Sequence, residues 1–155
     1  MQISDILAPQ AVFQRVKAPT KKKLITEIAG FAATTAGLDA DKVFEALWQR
    51  EMLGSTGMGH GIAIPHARLA KLEKIVGLFV HLEEPIDFEA IDSAPVDLVF
   101  ALLTPLDAGA DHLKALARIS RLMRNEAVCE KLRAASDRSQ IYALLTEPTA
   151  GVHAA

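Results

Sequence analysis

Residues 96–103 read Val-Asp-Leu-Val-Phe-Ala-Leu-Leu, and residues 75–82 read Ile-Val-Gly-Leu-Phe-Val-His-Leu. Both runs are apolar and mostly lack the alternation of a strand with one solvated face, so they predict strands that helices cover on both faces. Residues 12–16, Val-Phe-Gln-Arg-Val, predict an edge strand, and residues 62–66, Ile-Ala-Ile-Pro-His, predict a short one. Helices on each side of such a sheet make an α/β domain.

The segments around these strands predict the covering helices. Apolar residues recur at helical spacing between Thr20 and Gly37, with Thr20 as the N-cap and Gly37 as the C-terminal stop. A second helix is expected from about residue 39 or 41 to Leu53, which places Arg50 in its last turn. Further helical segments are predicted at residues 3–7, from 107–110 onward, at 126–134 and at 136–146.

Three finer expectations concern surfaces and turns. The lysines at 21–23 are expected to form a solvated basic edge, and residues 83–88 and 92–95 are expected to be turns. The helix that begins near residue 107 is expected to turn one face to the core, formed by Leu113, Leu116, Ser120 and Met123.

The composition limits the classes of protein to which the chain can belong. Its 155 residues, half of them hydrophobic, suit one domain, expected over residues 1–147 with a flexible tail at 148–155. The net charge of −2 leaves no basic excess for nucleic-acid phosphates. Cys129 is the only cysteine, which excludes an intrachain disulfide and a Cys-rich metal site. Since neither an export signal nor an apolar run of about 18 residues is present, we expect a cytoplasmic protein without membrane insertion.

His66 is the histidine whose surroundings point to chemistry. It follows Ile64 and Pro65, so the imidazole is expected where the chain leaves the sheet, a usual place for reactive groups in α/β domains. The preceding stretch, residues 54–61, is too rich in glycine for regular structure, and its amides and hydroxyls can surround an anion. A neutral imidazole beside such a phosphate-sized cradle suggests phosphoryl transfer through a phosphohistidine. The candidate phosphate-binding residues are Ser55, Thr56, Gly57, Gly59, His60 and Gly61.

Other interpretations of these residues have less support. Glycine-rich loops before strands are often only tight turns, and this one precedes a strand, whereas a dinucleotide-binding loop opens a helix. The spacing of His60 and His66, with His112 as a third ligand, matches no common zinc pattern, so no metal site is predicted. Ser55 lacks the Gly-x-Ser-x-Gly elbow of a hydrolase nucleophile.

A longer pattern surrounds His66. It consists of Glu51, six residues, Met58-Gly59, two residues, and then Ile-Ala-Ile-Pro-His-Ala at 62–67. This pattern resembles the active-site signature of the mannitol/fructose-type enzyme IIA family (EIIA type 2) of the phosphoenolpyruvate-dependent sugar phosphotransferase system. The resemblance covers nearly the whole chain. Within the family, the nitrogen-regulatory branch is the most similar, through residues 50–57, 100–105 and 111–113.

The resemblance implies a three-layer α/β/α sandwich with a mixed sheet. It also implies that His66 is the phosphorylated residue and that Arg50 and His112 complete the active centre. The donor would be a small HPr-like phosphocarrier protein (NPr), and no cofactor would be needed. The nitrogen-regulatory branch further implies potassium-transport proteins or sensor kinases as regulated partners. His60 occupies a position where the family often has Asn or Glu, and its protonation would favour a nearby phosphate.

Three functional hypotheses remain open at this stage. The first is a regulatory phosphocarrier, which the lack of a fused IIB module or membrane segment favours. The second is a sugar-specific enzyme IIA that passes its phosphate to a IIB module. The third is a binding module whose glycine-rich loop holds an anion without chemistry.

Overall fold

Strands and helices are interspersed along the chain. The structure is a computed structural model that describes residues 1–147, so the tail expected at 148–155 lies outside the described residues. The strands are β1 Val12–Val16, β2 Gly57–Gly59, β3 Ile62–Ala63, β4 His66–Leu69, β5 Val76–Ile86 and β6 Val96–Pro105. The helices are α1 Ile3–Ile6, α2 Lys21–Ala36, α3 Ala40–Leu53, α4 Ala110–Met123, α5 Glu126–Ala134 and α6 Arg138–Thr146, with a short 3₁₀ turn at Pro9–Ala11.

Strand β6 organises the sheet. The strand order is β1-β5-β6-β3-β2, with β5 antiparallel to β6 on one side. On the other side β3 and then β4 run parallel to β6, with Ile62 beside Leu98 and His66 beside Leu102. Strand β1 pairs parallel with β5 at the edge, as expected from its sequence. The sheet is therefore mixed, and the predicted α/β sandwich is confirmed.

Two separate core layers explain the unbroken apolar runs. Leu78 and Val80 of β5 pack on the layer under α2 and α3, whereas Phe79 packs on the layer under α1 and α4 to α6. All three side chains are fully buried. Because successive strand residues point to opposite faces, a strand covered on both sides has to be apolar at nearly every position.

The predicted start and stop signals of the first two long helices are confirmed. The Thr20 hydroxyl accepts a hydrogen bond from the amide of Lys23, and Gly37 adopts a left-handed conformation with φ of 69°. Asp39 caps α3 through its carboxylate, and Arg50 lies in the last turn of that helix. Local sequence therefore determines where α3 begins and ends, which places Arg50 in its last turn.

The glycine-rich stretch is more ordered than expected. Gly57–Gly59 forms β2 and pairs antiparallel with β3, so the predicted irregular loop is in part a β-hairpin. His60 lies in its turn with φ of 57°, a conformation in which Asn and His are enriched over most side chains. The hydrogen bonds with the adjacent β3, which itself pairs with the distant β6, supply the order that the local composition does not indicate.

The expectation that the chain leaves the sheet at His66 is also wrong. Pro65 interrupts the strand because it has no N–H, yet its carbonyl accepts a hydrogen bond of 2.9 Å from Leu102. The chain therefore stays on β6 and resumes as β4 with His66 as its first residue. The imidazole lies at a break within the sheet and not at its exit.

Three further expectations are corrected. Residues 83–86 continue strand β5, because Ile86 pairs with Val96, and are not a turn. Lys21 is buried and ion-paired, so only its two neighbours belong to a solvated edge. The core face of α4 is formed by His112, Ala115, Ile119 and Met123, so the expectation is confirmed for Met123 and, as a half-buried neighbour of the core, for Leu116, whereas Leu113 is 65% exposed.

None of the helices within residues 1–147 is long and apolar enough to span a membrane.

The corrected face of α4 predicts a contrast between two substitutions on one helix. Ile119→Ala should lower the free energy of unfolding by about 2–5 kcal/mol, because it removes a fully buried side chain. Leu113→Ala should change it by less than about 0.5 kcal/mol, since that side chain is mostly in solvent. Urea denaturation of both variants measures the difference, and equal costs would contradict the assigned face.

Candidate active site

The side chain of His66 is held by its own backbone neighbour. Its Nδ1 lies 2.8 Å from the carbonyl oxygen of Ile64, and the residue is half-buried. A carbonyl oxygen can only accept, so Nδ1 carries the hydrogen of the neutral ring. The other nitrogen, Nε2, then keeps its lone pair. The local geometry thus selects one tautomer and makes Nε2 the nucleophilic atom.

The environment keeps His66 uncharged. Burial is the main cause that lowers its pKa below the usual histidine value, and the positive charge of Arg50 lowers it further. The hydrogen bond to Ile64 and the negative charge of Glu51 act in the opposite direction, but the net pKa shift is downward. At neutral pH the ring is therefore the neutral form, which is the form that can attack phosphorus.

A second imidazole lies next to the first. The ring centroids of His66 and His112 are 5.8 Å apart, and His112 is a buried residue in the first turn of α4. Its Nδ1 lies 2.6 Å from the hydroxyl oxygen of Thr104, which is itself fully buried at the end of β6. Burial lowers the pKa of His112, and the charge of Arg68 adds to this shift. The structure thus brings together the predicted pair of histidines.

The start of α4 adds partial positive charge beside these rings. Its N-cap residue is Gly109, which provides no side-chain acceptor for the amides of the first turn. Such amides, together with the helix dipole, favour an anion at this end of the helix. His112 belongs to the same turn, so an anion that contacts its ring lies close to these donors.

Two arginines flank the pair of histidines. The guanidinium of Arg50 donates to the carbonyl of Gly54 at 2.9 Å, and that of exposed Arg68 donates to the carbonyl of Leu106 at 3.4 Å. Within residues 1–147 neither guanidinium is in an ion pair. Both cations are therefore available to an incoming phosphoryl group, whose oxygens a guanidinium can bind in pairs.

The predicted cradle residues Ser55, Thr56 and Gly57 lie near the site, but both hydroxyls and the amides of Thr56 and Gly57 already donate to other groups. Ser55 donates its hydroxyl to the carbonyl of Phe88 at 2.8 Å and accepts from the amide of Gly57 at 3.0 Å. Thr56 donates both its amide and its hydroxyl to the carboxylate of Glu51. These three residues form a fixed wall and do not present a row of free donors.

The remaining cradle residues, Gly59, His60 and Gly61, are not brought to His66. The carbonyl of Gly61 accepts from Leu98 of β6, whereas His66 pairs with Leu102. Four residues of extended strand separate these positions, which is about 13 Å. The hairpin turn points away from the imidazole, so the expected influence of His60 on a phosphate at His66 has no support in this geometry.

Sequence reasoning missed Arg68 and Thr104 and gave Glu51 no role beyond the motif. Arg68 lies two residues after His66 on the same strand, so its side chain leaves the sheet on the same face. Thr104 is a buried hydroxyl at the end of an apolar run, and such a group needs a partner. These two patterns were visible in the sequence, whereas the partners of Glu51 depend on the fold.

The chain is similar to a known family along nearly its whole length. The family model described as phosphoenolpyruvate-dependent sugar phosphotransferase system, EIIA 2, matches residues 5–147. A nitrogen regulatory protein of Bradyrhizobium diazoefficiens is 53% identical over 150 residues, 97% of this chain and 98% of that protein. A fructose-specific EIIA component of Haloferax volcanii is 35% identical, covering 95% of this chain and 98% of that protein.

Solved structures show the same fold. A nitrogen regulatory protein IIA-Ntr from Neisseria meningitidis superposes with a TM-score of 0.88 at 35% identity, covering 93% of this chain and 99% of that one. The mannitol IIA of Escherichia coli superposes with a TM-score of 0.75 at 21% identity, over 90% of this chain and 98% of that one. The resemblance read from the residues around His66, including its nitrogen-regulatory branch, is confirmed.

The charge of Arg50 gives a testable pH dependence. A positive neighbour disfavours the imidazolium form, so Arg50→Gln should raise the pKa of His66 toward its ordinary value. An NMR titration of the histidine ring signals measures this shift. Arg121→Gln, on the exposed side of α4, is the matched control and should leave the pKa of His66 unchanged. Equal behaviour of the two variants would contradict the placement of Arg50 at the site.

Proposed function

Because the chain belongs to the EIIA type 2 family of the phosphoenolpyruvate-dependent sugar phosphotransferase system, we propose that His66 accepts a phosphoryl group from a phosphohistidine on an HPr-like carrier protein (NPr). The observation that carries this proposal is the hydrogen bond from Nδ1 of His66 to Ile64, which leaves Nε2 unprotonated beside a second histidine. A neutral, oriented imidazole next to cations suits phosphoryl transfer.

The transfer step follows from these positions. Nε2 of His66 forms a bond to phosphorus while the phosphorus–nitrogen bond of the donor breaks and releases the donor's imidazole. The proton of His66 remains on Nδ1, hydrogen-bonded to the carbonyl of Ile64. Arg50, Arg68 and the first-turn amides of α4 stabilise the charge spread over the phosphoryl oxygens. The 2.6 Å contact between the hydroxyl of Thr104 and Nδ1 of His112 allows either group to donate. In the proposed step the hydroxyl donates, so that Nε2 of His112 carries the hydrogen and donates to those oxygens. None of these roles involves a metal or a cofactor.

An exposed apolar surface suits the docking of the carrier. Four large side chains in solvent lie close in sequence or space to the site residues, and we call them the docking patch: Met52, Leu53, Leu106 and Leu113. Leu53 follows Arg50 by three residues, and the carbonyl of Leu106 contacts Arg68. Exposed apolar residues around charged groups are typical of protein–protein interfaces.

The phosphorylated form would act as a signal. A phosphoryl group adds about two negative charges to the surface, enough to change which proteins bind there. The name nitrogen regulatory protein, carried by the 53% identical relative, supports a regulatory role. As the family resemblance implies, we propose potassium-transport proteins or sensor kinases in the cytoplasm as the regulated partners. The fructose-specific relative supports a second candidate, an enzyme IIA that hands its phosphate to a IIB module.

Phosphorylation of the chain tests the proposal directly. Incubation with radiolabelled phosphoenolpyruvate, enzyme I and the HPr-like carrier should label the protein with an acid-labile, alkali-stable phosphate. His66→Ala should abolish the label, whereas the matched control His60→Ala should retain it, since His60 lies in the distant hairpin turn. An unlabelled wild type would leave only an anion-binding module. Passage of the label to a sugar through a IIB protein would favour the uptake candidate.

The docking patch predicts a second effect on transfer. Leu53→Asp should slow phosphorylation by the carrier about 10-fold or more, because it places an unpaired charge among the exposed apolar side chains of the docking patch. Ile91→Asp is the control, since Ile91 is equally exposed but its side chain lies beside Gly59, in the hairpin that is not brought to His66. Initial rates at several carrier concentrations should show a raised KM in the first variant only. An unchanged KM in Leu53→Asp would place the carrier elsewhere.

A further inference from the structure

Glu51 is a charged side chain in an enclosed place. Its carboxylate is completely buried at the end of α3, one residue after Arg50. One oxygen accepts the amide of Thr56 at 2.7 Å, and the same carboxylate accepts the hydroxyl of Thr56. A buried carboxylate costs several kcal/mol unless it is paired and hydrogen-bonded, so a merely space-filling role would be met better by a neutral side chain.

Lys21 supplies the compensating charge from another helix. Its ammonium lies 3.7 Å from Glu51 and 3.3 Å from Glu89, and 4.7 Å from the ring centre of Phe88. The Lys21 side chain is only 8% exposed, although it lies in the first turn of α2, where the helix dipole disfavours a cation. The ion pair with Glu51 offsets this unfavourable interaction with the helix dipole and links α2 to the end of α3.

A continuous series of hydrogen bonds leads from this pair to the reactive ring. Glu51 holds the amide and hydroxyl of Thr56, and the carbonyl of Thr56 accepts from the amide of Ile64 at 3.1 Å. The carbonyl of Ile64 accepts from Nδ1 of His66. Because Pro65 restricts Ile64 to extended conformations, fixing the amide of Ile64 also fixes the direction of its carbonyl.

We propose that Glu51, neutralised by Lys21, is a positioning residue that sets the tautomer and orientation of His66 through Thr56 and Ile64. This inference rests on the proposed phosphoryl transfer to His66. Glu51 does not touch the reacting atoms. It keeps the acceptor for Nδ1–H in place, so that Nε2 stays unprotonated and aimed at the incoming phosphorus. When this support is weakened, the ring samples the other tautomer and orientations that cannot attack.

Two variants test the positioning role. Glu51→Gln removes the charge and one acceptor site, and Thr56→Val removes only the hydroxyl donor while keeping the amide. Long-range ¹H–¹⁵N NMR spectra of the histidine rings should show a single Nδ1–H tautomer of His66 in the wild type and a mixture in both variants. Phosphorylation by the carrier should slow about 10-fold or more in Glu51→Gln and less in Thr56→Val, since a small misplacement of a reacting group costs up to about 100-fold.

A surface pair provides the matched control. Lys17 and Glu83 form an ion pair of 3.5 Å in solvent, so Glu83→Gln makes the same chemical change away from the site. It should leave both the tautomer and the rate of transfer unchanged. If Glu51→Gln does not fold, as judged by circular dichroism, Thr56→Val alone decides.

The outcomes separate the two proposals. A wild type that carries no phosphate at His66 would overturn the proposed function, while the tautomer measurement, which needs no partner protein, would still test the positioning by Glu51. A labelled wild type together with a wild-type tautomer in the folded variants would overturn the positioning role. Slow transfer with an unchanged tautomer would overturn it as well, because Glu51 would then act on the fold alone.

Discussion

The hydrogen bond between Nδ1 of His66 and the carbonyl of Ile64 is the interaction on which the proposed chemistry depends. The two residues lie on either side of Pro65, at the interruption between β3 and β4. Both strands pair with β6 in one continuous register, which holds the chain on each side of the interruption. A backbone carbonyl thus accepts the hydrogen bond from Nδ1 that a carboxylate accepts in many histidine sites. Unlike a carboxylate, it adds no negative charge beside a phosphate.

The local balance of charge differs from that of the whole chain. The protein has a net charge of −2, yet the residues around His66 include two arginines that form no ion pair within residues 1–147, and the N-terminus of α4, whose first turn also contains Asp111. Glu51, whose negative charge acts on His66, is buried and paired with Lys21. The carboxylate therefore supports the wall of the site while its charge is largely compensated, and the cations remain free for phosphoryl oxygens.

Much of the fold was predictable, because its signals are local. Thr20, Gly37 and Asp39 mark helix ends through their own backbone and side-chain preferences, and the structure places the ends there. The hairpin at β2 was not predictable, because glycine has no strand preference and the partner strand decides the pairing. Likewise, Leu113 fits an apolar pattern, but the position of α4 against the sheet leaves it in solvent.

The sequence by itself determined the family, the order of the helices and the long strands, and the histidine that we propose as the reactive group. All of these depend on residue types and short spacings. Only the tertiary structure decided which donors remain free near that histidine. It assigns the donors of Thr56 to Glu51, turns His60 away, and brings Thr104 and Arg68 to the site. The reason is physical: hydrogen-bond partners and exposure depend on residues distant in the chain, which come together only when the sheet forms.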